Sequence, residues 1–267
     1  MIMSGWFISL KRLRDCDIKQ FVIQKFQRLI IPSVVWYCIN QLLSLQWPDS
    51  TIFQFYWYLN SLFISLCIIM FFSKLIENDL LCSISSIAFV LIIPYTNFNH
   101  VNFMLPFLIG GMYLRELFEL KTAKTWGFVF FLIGIALCPF WRPQFSVYLS
   151  PWNSMRLNDF MIFAYLFRFA IGFSLSAAII IFVQSIELKI QPIAPLGQYS
   201  LVIYTASIAI LGLVNTILNY FCLHTNQYFV IDVLSLSLCS IITFGIFKFA
   251  KSCQRNKMLS LLFLGES

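Results

Sequence analysis

The segment Phe160–Gln184 reads FMIFAYLFRFAIGFSLSAAIIIFVQ and carries one charged residue, Arg168. A helix rises about 1.5 Å per residue, so a helix of this length crosses a hydrocarbon core about 30 Å thick. The segment therefore predicts a transmembrane helix with an arginine inside it.

Similar apolar runs occur along the whole chain, in which 60% of the residues are hydrophobic and 11% are charged. Soluble proteins carry about 25% charged residues. We predict an all-α, polytopic helical membrane protein with about eight full transmembrane helices and a partial N-terminal one. The predicted crossings centre on roughly 29–46, 53–72, 80–95, 103–118, 125–140, 160–184, 197–219 and 228–249.

The positive charges indicate how these helices are oriented. If the first basic loop is cytoplasmic, fifteen of the 18 Lys and Arg residues lie on the cytoplasmic side, whereas the opposite loops hold only Arg142 and Arg156. Cytoplasmic loops of membrane proteins show this excess of positive charge. We expect a multi-pass protein of the inner or plasma membrane, with a transmembrane domain over 1–250 and a cytoplasmic C-terminal tail over 251–267.

The net charge of +7 has the same explanation. We expect the lipid bilayer, and not a nucleic acid, to be the partner of the basic residues. The 8 cysteines are scattered singly, without the spacing of a disulfide framework or a metal site. We therefore expect no metal and no permanently bound cofactor. The sequence does not indicate an oligomeric state.

Residues 1–10, MIMSGWFISL, form an apolar segment about half as long as a crossing. The segment lacks the cationic start and the cleavage site of a signal peptide, and it runs directly into the basic residues that begin at Lys11. We expect the other half of this helix to lie upstream of Met1, so that the chain is N-terminally truncated. A short interfacial or re-entrant helix is the alternative.

Arg168 is the strongest candidate for a functional residue that the chain offers on its own. An arginine at the centre of a transmembrane helix costs about 2.5–3.5 kcal/mol on insertion scales, so such residues face the bundle or a wet cavity. A functional Arg168 would hold an anionic or carbonyl group of a substrate. In the alternative reading it pairs with a carboxylate, for which Asp159 and Asp232 are candidates, or extends toward the outer surface.

Five motifs, in this order along the chain, resemble those of the membrane acyltransferase 3 family, in its saccharide O-acetyltransferase branch (fucose 4-O-acetylase-like). They are Ser4-Gly5-Trp6-Phe7, the segment Lys25–Pro32 (KFQRLIIP), Phe55–Phe63 (FYWYLNSLF), Leu105–Met112 (LPFLIGGM) and Gly197–Tyr204 (GQYSLVIY).

The resemblance implies about ten transmembrane helices and an integral membrane O-acyltransferase. Acetyl-CoA would be the co-substrate, and the acceptor would be a hydroxyl of a surface polysaccharide or its precursor. It also implies a catalytic histidine in a first helix, which we expect upstream of Met1, so that the chain as written is inactive. His100 and His224 fall in loops and are interpreted as solvated. A polysaccharide exporter, flippase or polymerase is the alternative function.

The resemblance also suggests binding residues. Lys25 and Arg28 would meet the phosphates of acetyl-CoA, although plain anchoring of the helix at the membrane surface is an even alternative. Trp57 and Asn60 would contact the acceptor, with packing as the alternative. Trp152, in the external segment Cys138–Asp159, would offer an aromatic platform for a sugar or belong to an interfacial aromatic belt.

For the proline and the two glycines of the fourth motif, the sequence predicts a structural role. We expect Pro106, Gly110 and Gly111 to permit a close helix contact or a kink, and not to bind a ligand.

Overall fold

The structure is a computed structural model that describes residues 1–44, 56–92, 100–118, 122–142, 159–185, 203–204, 206 and 228–264. Every regular element in these ranges is helical, which confirms the prediction of an all-α fold. The α-helices are α1 (Ile2–Trp6), α2 (Leu10–Asp15), α3 (Ile18–Lys25), α4 (Ile31–Ser44), α5 (Trp57–Leu75), α6 (Asp79–Ile92), α7 (Val101–Phe118), α8 (Ala123–Leu137), α9 (Asp159–Ser185), α10 (Tyr228–Cys253) and α11 (Lys257–Leu259). Two π-helical segments, Phe26–Ile30 and Ser260–Leu264, and a 3₁₀ turn, Cys138–Phe140, complete them.

The helices from α4 to α10 fall on seven of the eight predicted crossings. Among the residues described together with their side chains, the stretches Trp57–Leu75 and Phe163–Val183 are long and apolar enough to span a membrane, with mean hydropathies of 1.7 and 2.2. The predicted crossing 197–219 lies almost wholly outside the described residues. The count of eight full crossings therefore stays a prediction.

The apolar segment at the start of the chain is divided into two helices. Helix α1 ends at Trp6, and a turn closed by the Ile8 N–H donating to the Gly5 carbonyl (2.9 Å) separates it from α2. The expectation of one continuous ten-residue helix is wrong. Helix α2 begins at Leu10, after the extended Ser9, and carries the basic residues, so the helix is interrupted where the apolar segment meets the charges.

The described chain forms two compact units. The first contains Met1–Phe21 and Asn60–Lys189, and the second contains Val22–Leu59 and Ile190–Ser267. Each unit has an apolar cluster of its own, one around Phe107 and Tyr165 and the other around Trp36 and Ile246.

In the first unit, α1 lies against α7 at backbone distance. A Cβ atom on Gly5 would stand 1.9 Å from the carbonyl oxygen of Leu108, and one on Gly111 would stand 2.1 Å from the carbonyl oxygen of Ile2. Only glycine fits at either place, because the obstacle is backbone that cannot rotate away. The first and fourth motifs thus meet each other, and the prediction that Gly111 permits a close helix contact is confirmed.

A second contact in this unit joins α2 to the turn between α5 and α6. The Arg14 guanidinium pairs with Asp79 and donates to the carbonyl oxygens of Ser73 (3.3 Å) and Ile76 (3.4 Å). The Lys74 ammonium donates to the carbonyl oxygen of Arg14. Arg14 therefore satisfies backbone carbonyls at the C-terminal end of α5.

Pro32 explains the π-helical segment Phe26–Ile30 in the second unit. Pro32, which is fully buried, has no N–H to donate to the carbonyl of Arg28, and its ring would clash with that carbonyl in a regular helix. The chain widens by one residue just before the proline, and the Ile31 N–H donates to the Phe26 carbonyl instead.

The C-terminal residues of the described chain fold back onto α4. The π-helical segment Ser260–Leu264 packs along α4, and the Phe263 ring meets the Trp36 ring edge-on with 5.6 Å between centroids. Part of the segment that the sequence assigned to a tail is therefore packed in the second unit.

We predict that Gly111→Ala destabilises the protein by about 1–3 kcal/mol, the cost of overpacking, which exceeds the roughly 1 kcal/mol gained in helix propensity. Thermal unfolding in detergent measures it. Gly245→Ala is the matched control, because a Cβ there meets no heavy atom within 4 Å, and it should leave the unfolding temperature unchanged or slightly raised. Equal effects of the two substitutions would contradict the proposed contact between α1 and α7.

Candidate functional site

Arg168 lies within α9, roughly 14 Å along the helix from its first residue at 1.5 Å per residue. Its side chain is partly buried, and its Cζ atom stands 5.1 Å from the centroid of the Phe103 ring. A guanidinium over an aromatic face is held by the negative face of the ring, an interaction that strengthens where water is excluded. Arg168 thus points toward α7, inside the first unit.

Helix α9 is fixed at this place by a hydrogen bond that follows from Pro106. The proline lies inside α7 and has no N–H for the carbonyl of Asn102, four residues before it. The Tyr165 hydroxyl, on α9, donates to that carbonyl oxygen at 2.6 Å. Because Tyr165 and Arg168 are three residues apart, they share a face of α9, and the bond that secures Tyr165 also orients Arg168.

His100 is the functional candidate that the sequence reading missed. It lies directly before α7, where its carbonyl accepts hydrogen bonds from the N–H groups of Phe103 (3.1 Å) and Met104 (2.8 Å). His100 lies in a turn outside the helix, as predicted, but its side chain is partly buried, so the interpretation of it as solvated is wrong. The sequence did offer one indication of this. His100 directly precedes the apolar helix α7, whose first turn contains Phe103, the residue that Arg168 contacts.

The electrostatics of His100 link it to Arg168. Burial lowers the pKa of the His100 imidazole below its usual value, and the positive charge of Arg168 lowers it further. Both effects favour the neutral imidazole, which is the form that can accept a proton. The described neighbours of Arg168 thus include the Phe103 ring and His100. The side chains of Asp159 and Asp232, named from sequence as partners, lie outside the described residues.

Lys25 and Arg28 lie at the junction of α3 and the π-helical segment, in the second unit. Lys25 is partly buried and Arg28 is exposed. A π-helical turn holds more residues than an α-helical turn, so the two side chains are rotated farther apart than the spacing in the sequence suggested. The exposed Arg28 guanidinium is the one of the two that faces solvent or headgroups, and π-helical turns are frequent at functional sites.

The structure describes two of the three acceptor-binding candidates, Trp57 and Asn60, and these differ in burial. Trp57 is partly buried and meets the Tyr58 ring edge-on at 6.2 Å, whereas Asn60 is buried, both near the start of α5. Trp152 lies outside the described residues. Trp57, Lys25 and Arg28 belong to the second unit, and Asn60, His100 and Arg168 belong to the first. The acceptor-binding role of each stays a prediction.

The first unit therefore combines two groups that acyl transfer requires. A neutral imidazole can take a proton from a hydroxyl, and a fixed guanidinium can stabilise the negative charge that develops on a carbonyl oxygen under attack. Arg168 lies on α9, and His100 lies in the turn directly before α7, the helix on which α9 packs. Their positions depend on the Tyr165 hydrogen bond.

Comparison with known proteins identifies one family. The family model for acyltransferase 3, described as an acyltransferase domain, matches residues 1–247, which is most of the chain. No curated protein and no solved structure matches the chain.

We predict that Arg168→Gln raises the pKa of His100, because the neighbouring positive charge is lost, but not to the value of an exposed histidine, because burial is the larger cause and remains. With one of the 2 histidines removed by His224→Gln, the ring signals of His100 in a ¹³C-histidine-labelled sample report this pKa alone. Arg12→Gln, an exposed arginine on α2, is the control for the change in net charge. If the pKa of His100 is the same in the His224→Gln protein, with Arg168→Gln added and with Arg12→Gln added, the electrostatic effect of Arg168 on His100 is contradicted.

Proposed function

Since the chain belongs to the acyltransferase 3 family of membrane acyltransferases, we propose that it transfers an acetyl group from acetyl-CoA to a hydroxyl of a cell-surface polysaccharide or of its precursor. Family membership gives the reaction class. The observation that supports O-acyl transfer at this chain's own residues is the partly buried Arg168 guanidinium over the Phe103 ring, close enough to His100 for its charge to lower the pKa of that imidazole. The motif resemblance favours the saccharide branch of the family.

In the proposed reaction the acceptor hydroxyl attacks the thioester carbonyl. In place of the upstream histidine that the resemblance implies, we propose His100 as the general base, which would make the chain as written active. His100 takes the hydroxyl proton, a C–O ester bond forms, the C–S bond breaks, and the proton leaves with the thiol. Arg168 stabilises the negative oxygen of the tetrahedral intermediate, which is worth most in a water-excluded site. Placing the Arg168 charge inside the hydrocarbon region costs free energy, and the proposed role gives that charge a function, because it lies where the intermediate becomes negative.

The residues proposed to bind the donor are Lys25 and Arg28. Arg28, exposed on the π-helical segment, would bind a phosphate of acetyl-CoA through its planar fork, and Lys25 would add a second positive charge. Trp57, Asn60 and Trp152 are proposed to contact the acceptor.

The distribution of positive charge supports a plasma-membrane or inner-membrane protein whose Arg28 end and C-terminus are cytoplasmic, the side on which acetyl-CoA is found. Export, flipping or polymerisation of a polysaccharide is not favoured, because the family of the chain is one of acyltransferases.

The test is transfer of labelled acetyl groups. Membranes from cells that express the chain are incubated with acetyl-CoA labelled in its acetyl group and with the polysaccharide of the same cells, and label that mild alkali releases from the polysaccharide measures ester formation. We expect Arg168→Gln to lower the rate about 10²–10³-fold, the cost of losing an oxyanion-stabilising group. His100→Gln should lower it at least about 10²-fold, the contribution of a general base.

Arg12→Gln is the control, since it removes the same charge from an exposed position on α2 and should leave the rate unchanged. Full label transfer by Arg168→Gln, at normal protein amount, would contradict the role of Arg168. Movement of polysaccharide across vesicles without dependence on acetyl-CoA would contradict the reaction class.

A further inference from the structure

A long apolar groove runs between α8 and α9 on the surface of the first unit. Its volume is about 670 Å³, and it is lined by residues that include Lys124, Gly127, Phe131, Ala178, Ile179 and Phe182. It is separate from the His100–Arg168 pair, none of whose residues line it. The groove is therefore not explained by the proposed acyl transfer.

The groove has a floor of small residues and walls of large ones. At Gly127 the helices touch, since a Cβ atom there would stand 2.7 Å from Cγ2 of Ile181, and Ala178 beside it is 6% exposed. The wall residues Ile179 and Phe182 are 62% and 65% exposed. A surface of this composition is stable only when hydrocarbon covers it, which in a membrane protein means a lipid chain or another protein.

One end of the groove is positively charged. Lys124 is exposed in the first turn of α8, and that turn holds no acidic residue. Within the described part of the chain Lys124 takes part in no ion pair. The N-cap residue Thr122 makes no side-chain hydrogen bond to the first N–H groups of α8, and the positive end of the helix dipole lies in the same turn as the lysine.

The positive end and the apolar length of the groove match the phosphate and the acyl chain of a phospholipid. A phosphate is attracted to an ammonium group and to the N-terminus of a helix, and an acyl chain fills an apolar groove one turn farther along. We propose that the groove binds an anionic glycerophospholipid, with its phosphate at Lys124 and one acyl chain between α8 and α9. The lipid would hold together two helices of which α9 carries Arg168. A zwitterionic lipid, a long-chain acyl thioester and a second copy of the chain are the competing occupants.

The experiment is native mass spectrometry of the full chain, released from nanodiscs containing equal amounts of phosphatidylglycerol and phosphatidylcholine with the same acyl chains. We expect the protein to retain phosphatidylglycerol preferentially, with one molecule bound more tightly than the rest. Lys124→Ala should reduce this preference about fivefold, since one lysine near a membrane surface contributes about 1 kcal/mol toward an anionic lipid. Lys11→Ala, an exposed lysine on α2, should leave it unchanged.

A second variant tests the groove apart from the charge. Ala178→Leu places a larger side chain on the floor and should reduce retention of the tightly bound lipid, while its unfolding temperature without lipid checks that it is folded. Equal retention of the two lipids, or a preference that survives Lys124→Ala, would overturn the proposal. So would a lipid that Ala178→Leu still retains, displacement of the lipid by palmitoyl-CoA, or a dimer that Ala178→Leu disrupts.

Discussion

The carbonyl oxygen of Asn102 is the point on which the geometry of the first unit depends. Pro106 deprives this buried carbonyl of its helical partner, and an unsatisfied carbonyl in hydrocarbon costs several kcal/mol. The Tyr165 hydroxyl supplies the missing donor and thereby fixes α9 against α7. Arg168 is carried by α9 and His100 lies directly before α7, so this bond joins the two helices that position them.

Backbone carbonyl oxygens also determine the packing at two other places. Gly5 and Gly111 let α1 approach α7 until each glycine faces a carbonyl oxygen of the opposite helix, and Arg14 provides donors for carbonyls at the end of α5. Hydrophobic attraction does not drive helix association inside lipid, where the surroundings are equally apolar, so close backbone contacts and polar bonds take its place.

The helices were predictable from the sequence because their signal is local. Each crossing is an apolar run, and the all-α fold and the family follow from such runs and from ordered motifs such as LPFLIGGM. The candidate site was only half predictable. Arg168 is conspicuous as a charge in an apolar segment, whereas His100 is distant in sequence and joins it only because α7 packs on α9. The division of residues 1–10 and the π-helical segment before Pro32 depend on contacts and on a missing N–H, which apolar periodicity does not report.

The central claim is that Tyr165 replaces the helical donor that Pro106 removes, and a double-mutant cycle tests it directly. Tyr165→Phe should destabilise the protein in detergent by about 0.5–2 kcal/mol, since it leaves the Asn102 carbonyl unsatisfied. In a Pro106→Ala background the alanine N–H can reach that carbonyl, so the same substitution should cost measurably less, with a coupling energy of at least about 0.5 kcal/mol. An equal cost of Tyr165→Phe in both backgrounds would contradict the account.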